Sequence, residues 1–458
     1  MNEFIKKRTD SIEKNLDEII KKASIANNEK VKPYKKDINN ALKVIENYII
    51  SKSRIIYGGL AQNELIKLKN KNDAFYKDDN IDIPDYDVYS PTPIRDLTYL
   101  CNTLYKMGFE QVSFSEAVHA NTYTLRLDRV TNAILDVHYV WRPQFDVIPK
   151  IKIGKFYYTH PDFIYIDLYK IYTDPLLSFK FRIEKVFKRT TLLEKYYPTV
   201  PKAHKILDVY PILEDENKEI INNFIKNILS NKDDIILCGL FCYNFYMQQY
   251  DKKNTIKVNY LSLLTDNIYK VSDIIMNYFV KIDKKKDMVI EKYHPFFEVF
   301  GNIVHIKYKN RVLFEIIDNM NRCVPYVSIK NKDNIKLKFI SFHGLLLHMY
   351  SYIFLYRYKK DHLKIDFYKN LVYNLHKTRL NYLYKNNLVG TEKSVFQELI
   401  VDCIFKTDDE RLIAEEKVQR NIKKGKQPIY TYRPKTRIMD HTKLPEYIYP
   451  NTSGNLIK

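Results

Sequence analysis

The chain is poor in the residues that usually announce a framework: 10 glycines, 1 tryptophan and 5 cysteines in 458 residues. Odd in number and scattered, Cys101, Cys238, Cys242, Cys323 and Cys403 contain no CxxC pair and suit neither a disulfide framework nor a zinc site. They point to a reducing compartment. Long apolar runs are also missing. A membrane span needs about 18 successive apolar residues, whereas the most aromatic stretch, Tyr350 to Tyr358, is short and gives way to Lys359 and Lys360. Met1 to Lys30 alternates charged with apolar residues and lacks the hydrophobic centre of a signal peptide. The expectation is a soluble intracellular protein with no membrane association.

Positive charge and aromatic rings are in excess. Lys and Arg total 75 against 55 acidic residues, a formal charge of +20, which suits a polyanionic partner such as nucleic acid. Lys, Asn, Ile and Tyr are abundant together, the usage of an AT-rich genome, so charge alone leaves a solvated surface equally open. Tyr and Phe number 39 and 24, and most must be core. Tyr430, Tyr432 and Arg433 interleave aromatic with cationic character outside any apolar periodicity, as a stacking surface for RNA would.

A length of 458 residues predicts two to four domains. Residues 1–50 carry apolar positions at helical spacing, Ile12, Leu16, Ile19, then Leu42, Ile45, Ile49. Ser53 to Gly59 reads as a short strand and tight turn before a helix from Leu60 to Lys69, and Ile83 to Tyr89 as a second strand before a helix from Ile94 to Met107. Thr122 to Leu127 and Ala133 to Val140 predict a hairpin across the polar turn 128–132. The same order recurs about 180 residues later, too long a period for a solenoid and suited to a duplicated domain. Ile55 to Gly59 matches Ile235 to Gly239, Asp87 to Ser90 matches Asn259 to Ser262, Asp136 matches Glu315, and Phe156 to His160 matches Phe339 to His343. Helices to about Tyr384 and a helical piece from Glu392 to Phe405 follow. The divisions are thus a helical region over 1–50, a catalytic domain over 51–200, a related domain over 201–405 and a basic, irregular tail over 406–458.

Chemistry enters with the carboxylates. Asp85 and Asp87 stand two apart in a strand, so both side chains leave one face and need a cation between them. Hard oxygen ligands select Mg²⁺ or Mn²⁺. Asp136, among Ile134, Leu135 and Val137, is a buried charge explained only if it joins that pair. Three carboxylates can hold two ions for in-line nucleotidyl transfer, one activating an attacking hydroxyl and one neutralising the leaving pyrophosphate. Gly58 and Gly59 have no Cβ and let backbone N–H groups approach a triphosphate at a helix start. Arg182, Lys185 and Arg189 share one face of a basic helix, where they reach the triphosphate or simply meet solvent. Ser90 is either a nucleotide contact or a strand-ending turn serine, while His138 and His160 are lone histidines expected to be satisfied core groups.

The ordered set Tyr57-Gly58-Gly59, Asp85-Tyr86-Asp87-Val88 and Leu135-Asp136-Val137 resembles the polymerase-β-like nucleotidyltransferase superfamily, with pattern hG[GS], [DE]h[DE]h and h[DE]h. Leu60 departs from the small or polar residue many relatives place after the glycines. Ile56 to Ala61, Pro84 to Pro91, Lys106 to Phe109 and Leu193 to Pro198 are similar to the poly(A) polymerase catalytic subunits of nucleocytoplasmic large DNA viruses, most clearly over residues 50–200. The resemblance implies an α/β fold, a mixed sheet with flanking helices followed by a second, degenerate nucleotidyltransferase-like domain. It also implies adenylate addition from ATP to RNA 3′ ends with two Mg²⁺ or Mn²⁺ ions, a possible homodimer or processivity partner, and action in the infected cell's cytoplasm with packaging in virions. Another template-independent transferase, CCA-adding or oligoadenylate-type, and a non-catalytic RNA-binding scaffold remain as alternatives. In the second copy the ligand positions read Lys257, Asn259 and Glu315, so that copy is expected to be catalytically dead.

Overall fold

Short β-branched and aromatic runs closed by Gly, Pro or a polar turn become strands, and the longer amphipathic stretches between them become the helices that cover two sheets. The computed structural model describes residues 2–31, 35–76, 86–127, 133–178, 182–201, 209–210, 213–330, 336–407, 409–435 and 453–457. Asp85 and the turn 128–132 lie outside these.

Helices α1 (Asn2–Val31) and α2 (Lys35–Ser51) lead into β1 (Ile55–Ile56), α3 (Gly58–Lys69), β2 (Tyr86–Ser90) and α4 (Pro93–Lys106). Next come β3 (Ser113–Glu116), β4 (Thr122–Arg126), β5 (Leu135–Tyr139), α5 (Arg142–Phe145), β6 (Lys150–Ile153) and β7 (Phe156–Thr159). Helices α6 (Pro161–Tyr172), α7 (Pro175–Ser178) and α8 (Ile183–Tyr196) close this half.

The second half begins with α9 (Asp215–Asn227), β8 (Ile236–Cys238), α10 (Gly239–Met247), β9 (Leu261–Thr265) and α11 (Ile268–Lys281). Strands β10 (Met288–Tyr293), β11 (Ile303–Tyr308), β12 (Arg311–Asp318), β13 (Val324–Lys330) and β14 (Lys336–Ile340) follow, then α12 (Phe342–Tyr358) and α13 (His362–Lys385). The last elements among the described residues are β15 (Cys403–Ile404), α14 (Glu410–Lys423) and β16 (Thr431–Tyr432).

The two eight-stranded sheets have the orders β16-β3-β4-β5-β2-β1-β7-β6 and β10-β11-β12-β9-β8-β14-β13-β15. Leaving aside β16 and β15, the orders superpose strand for strand. Corresponding pairs also agree in direction: β2 with β5 and β9 with β12 are parallel, as are β1 with β7 and β8 with β14. The duplication read from the sequence is therefore real at the level of topology, but its register needs correction. Strand pairing places Ser262 opposite Glu315 as Asp87 stands opposite Asp136, and Gly239, like Gly58, begins its helix with a left-handed φ, +61° against +68°. The counterparts of Gly58, Asp85 and Asp87 are thus Gly239, Tyr260 and Ser262, not the assignment through Lys257 and Asn259. His160 likewise corresponds to Ser341, since each caps the helix after the matching strand. The match of Asp136 with Glu315 stands, while loops of unequal length shifted the other three segments by one to three residues, which no short motif could reveal.

Three further expectations change. Glu392 to Phe405 is not helical: Val389 and Gly390 donate backbone N–H bonds to the Glu392 carboxylate, and Glu398 pairs with Arg379, so side-chain anchoring overrides helical spacing. The segment expected to be an irregular tail carries α14 and β16, with Tyr432 buried against Phe114 at 5.3 Å rather than presented for stacking. Finally, Cys323 and Cys403 are joined in a disulfide beside the β13–β15 pairing. Nothing in a separation of 80 residues reveals that those strands meet.

Interdigitated aromatic rings of α6 and α12 join the halves. Phe163 meets Phe354 edge to face at 4.7 Å and Tyr165 stacks on Tyr350 at 4.9 Å, all fully buried. Such pairs contribute about 0.5–1.5 kcal/mol each beyond the area they bury.

One buried polar cluster pins the N-terminal helices to the first sheet. Asp96 accepts from Arg54 at 2.6 and 2.8 Å, Tyr48 at 2.8 Å and Ser90 at 2.6 Å, so α2, the start of β1, the end of β2 and α4 share one carboxylate. Removing one partner of a buried ion pair leaves an uncompensated charge. Asp96→Ala is expected to destabilise the protein by about 3–5 kcal/mol, measured as a lowered urea midpoint at unchanged slope.

Candidate active site

The site forms where β1, β2 and β5 lie side by side. A parallel pairing puts Asp87 directly opposite Asp136, and because side chains on one register row share a face, the two carboxylates leave the sheet together. By the same alternation Ser90 points to the opposite face. Its hydroxyl is fully buried, donating to Asp96 and accepting from Thr92 N–H at 2.9 Å, so its turn role prevails over nucleotide binding. Asp136 Oδ1 is buried and has no hydrogen-bond partner among the described residues. An orphaned anionic oxygen beside a second carboxylate is the environment a cation completes. Asp87, Asp136 and, two residues before Asp87, Asp85 would hold it.

The glycine turn faces this pair. Gly58 has a left-handed φ, and a Cβ there would overlap the Asp87 carboxylate, so both the backbone and the close approach require glycine. Tyr57 N–H donates to the Asp87 carbonyl at 2.9 Å, so the turn is tied to β2 by the backbone itself. Helix α3 begins at Gly58 with no side chain capping its first turn. Its leading N–H groups, with the positive end of the helix dipole, suit a phosphate. Gly59 faces the Arg189 guanidinium, which a Cβ would approach to 3.2 Å. Arg189, on α8, donates to the Tyr76 hydroxyl at 3.0 Å and lies 4.5 Å above the Phe75 ring. It is this last cation of the basic face that reaches the turn. Arg182 instead contacts His119 Nε2 at 2.8 Å, and Lys185 is an exposed residue of the same helix.

One step further along the strands, Tyr89 pairs with His138 on the same face as the aspartates. Tyr57 stacks on Tyr89 with ring centroids 4.0 Å apart. The Tyr89 hydroxyl donates to Asp167 at 3.0 Å, and burial raises the Asp167 carboxyl above its ordinary range. Burial and then the negative charge of Asp87 push the Tyr57 phenol well up, so it stays neutral. His138 and His160 are satisfied as expected: His138 Nδ1 meets the Thr122 hydroxyl at 2.9 Å, and His160 Nδ1 accepts from Asp162 N–H.

The matching place in the second half is filled. Glu315 Oε2 accepts from Ser262 at 2.7 Å and from Tyr352 at 2.8 Å, and Oε1 lies 3.3 Å from His305 Nε2. Burial would lift this carboxyl, yet His305, Ser262 and Tyr352 together hold it below its ordinary range. Tyr260, two residues before Ser262 as Asp85 is two before Asp87 in sequence, lies within a cluster that includes Tyr210, Tyr352, Tyr356 and Tyr368. A cation there would meet one carboxylate whose oxygens are already engaged.

A glycine turn and helix start opposed to register-paired carboxylates on a mixed sheet define a nucleotidyltransferase centre, and the second half is its degenerate copy. Comparison with known proteins narrows the class. The family described as poly(A) polymerase catalytic subunit matches residues 43–178. The carboxy-terminal family of the mimivirus (APMV) protein named as a poly(A) polymerase catalytic subunit matches residues 192–458, more than half of the chain. A protein of Acanthamoeba polyphaga mimivirus bearing that name is 28% identical over 97% of this chain and 82% of its own. Its African swine fever virus namesake (isolate Pig/Kenya/KEN-50/1950) is 32% identical over 35% of this chain and 34% of its own. The crystal structure of the Megavirus polyadenylate synthase matches with a TM-score of 0.86 at 27% identity, covering 98% of this chain and 92% of that one. The chain belongs to the poly(A) polymerase catalytic subunits of nucleocytoplasmic large DNA viruses and is a polynucleotide adenylyltransferase.

Gly58→Ala tests the turn. Left-handed backbone costs a residue with a Cβ about 1–2 kcal/mol, and displacing Asp87 by even 1 Å is expected to lower nucleotide incorporation about 100-fold. Thermal unfolding and incorporation measured on the same preparation separate the two effects.

Proposed function

We propose that this chain extends viral mRNA with adenylate, transferring AMP from ATP to an RNA 3′ end at Asp85, Asp87 and Asp136. The observation that carries this reading is the register pairing of Asp87 with Asp136, whose Oδ1 is orphaned, directly against the left-handed Gly58 turn. Mg²⁺ or Mn²⁺ bound by these carboxylates supplies Lewis acidity toward the 3′ hydroxyl and neutralises charge on the pyrophosphate.

The chain's own groups do the positioning. Leading N–H groups of α3 and the Arg189 guanidinium receive the triphosphate, which sets the α-phosphorus in line with the incoming 3′ oxygen. A bond forms from the 3′ oxygen to the α-phosphorus as the bond to pyrophosphate breaks, and the hydroxyl proton leaves to solvent. Chain-long similarity to the mimivirus and Megavirus proteins supports adenylate as the nucleotide and RNA as the acceptor, in preference to a CCA-adding or oligoadenylate-type activity.

The test is extension of a short labelled RNA with each nucleotide separately in Mg²⁺ or Mn²⁺. Long tails with ATP alone are expected. Asp87→Ala and Asp136→Ala are each expected to lower the rate by about a thousandfold, the several kcal/mol that cation stabilisation supplies. Equal extension by all four nucleotides would remove the adenylate assignment, and full activity in either variant would remove the site.

A further inference from the structure

Glu298 belongs to the second half, in the connection between β10 and β11, yet its carboxylate lies against the catalytic sheet. Oε1 is 3.2 Å from His138 Nε2 and Oε2 is 3.5 Å from Lys170 Nζ. Phe296, Phe297 and Phe300 anchor this connection in the core, with Phe297 packed on Phe163 of α6 at 5.4 Å and Phe300 on Tyr352 at 4.9 Å. Burying a carboxylate is costly unless it is paired. Burial would raise the Glu298 carboxyl, but His138 and Lys170 hold it down to about 2.

The partner it meets is placed with consequence. His138 stands two residues after Asp136 and pairs with Tyr89, which stands two residues after Asp87. The Thr122 hydroxyl engages one nitrogen of the imidazole and the Glu298 carboxylate lies 3.2 Å from the other, with the ring edge-on to Tyr89 at 5.7 Å and to Tyr57 at 6.4 Å. Tyr57 is the residue before Gly58. The contacting rings of His138, Tyr89 and Tyr57 therefore lie immediately beside the paired Asp136 and Asp87, and the outer end of this ring cluster faces the other half of the molecule.

We propose that Glu298 is a positioning residue for nucleotidyl transfer, the group through which the degenerate half orients the catalytic row by locking His138. This rests on the adenylyltransferase reading of Asp87 and Asp136. Glu298 touches no substrate. Its action resembles that of the outer partners that orient ligand groups in metal sites, whose removal typically lowers activity about 10- to 100-fold.

The experiment compares full-length Glu298→Gln with Lys369→Met in primer extension, with kcat, KM for ATP and thermal midpoint measured for each. Lys369 bridges to Asp162 at 2.6 Å, another contact between the halves, and one that involves neither His138 nor Asp87 or Asp136. Glu298→Gln is expected to lose about 10- to 100-fold in kcat, with KM for ATP within about twofold and a thermal midpoint no lower than that of Lys369→Met. Lys369→Met is expected to lose stability and keep its kcat. Should Glu298→Gln fail to fold, Thr122→Val frees the opposite side of the imidazole and is expected to give the same loss of kcat at constant KM. An unchanged kcat in whichever variant folds, or a loss that Lys369→Met shares, overturns the proposal. A wild-type protein unable to extend RNA would instead overturn the activity on which it rests.

Discussion

Two carboxylates on one register row repel each other, and most of the first half can be understood as the arrangement that tolerates them. Parallel pairing of β2 with β5 sets Asp87 against Asp136 whatever the side chains prefer, because register is decided by the buried positions on either side. Tyr86, Val88, Leu135 and Val137 are those positions. The sheet therefore imposes the proximity, and the surroundings supply compensation: a helix start on one side, the Arg189 guanidinium beyond it, and an orphaned oxygen that invites a cation. Close approach also dictates the backbone. A residue with any side chain at 58 would collide with Asp87, so a glycine is required by the very carboxylate it helps to serve.

Comparison of the two halves separates what the fold demands from what the chemistry demands. Gly239 retains the left-handed conformation of Gly58 and would collide with Ser262 as Gly58 would with Asp87. That constraint outlives the reaction because it belongs to the turn. The carboxylates do not survive as a set: Tyr260 and Ser262 replace two of them, and the third, Glu315, is absorbed into a hydrogen-bonded core with Tyr352 and His305. Filling the space with rings converts a solvated cleft into stabilising apolar contact, for which the chain's surplus of tyrosine is suited.

Legibility in the sequence followed the range of the interaction. Gly58, Gly59, Asp87 and Asp136 could be proposed because each sits in a local signature, strand then turn or carboxylate within an apolar strand, and the structure brings these residues to one face. The basic face of α8 was legible as a helix, but which of its cations reaches the glycine turn depends on how α8 packs across α3, which brings Arg189 to Gly59 and leaves Arg182 against His119. Glu298, Lys170 and Asp167 carried no signal at all. Isolated charges in apolar surroundings become meaningful only when a segment distant in the chain arrives beside them. The repeat was visible in order and in its Asp136–Glu315 match but off in register elsewhere, since strand composition repeats easily while alignment depends on loops of unequal length.

The last strand of the first sheet is contributed by residues 431–432, after the chain has passed through the whole of the second. Its partner β3 is otherwise an edge, with unpaired backbone groups available to any passing strand. Lys417 of α14 pairs with Glu116 at the end of β3, and Tyr430 N–H donates to the same carboxylate, so the returning segment is fastened by charge as well as by backbone. During synthesis the catalytic sheet must wait with that edge open until the far end of the chain emerges. Order of manufacture is therefore written into the topology: the half that performs the chemistry is made first, yet its sheet is completed only after every strand of the second sheet.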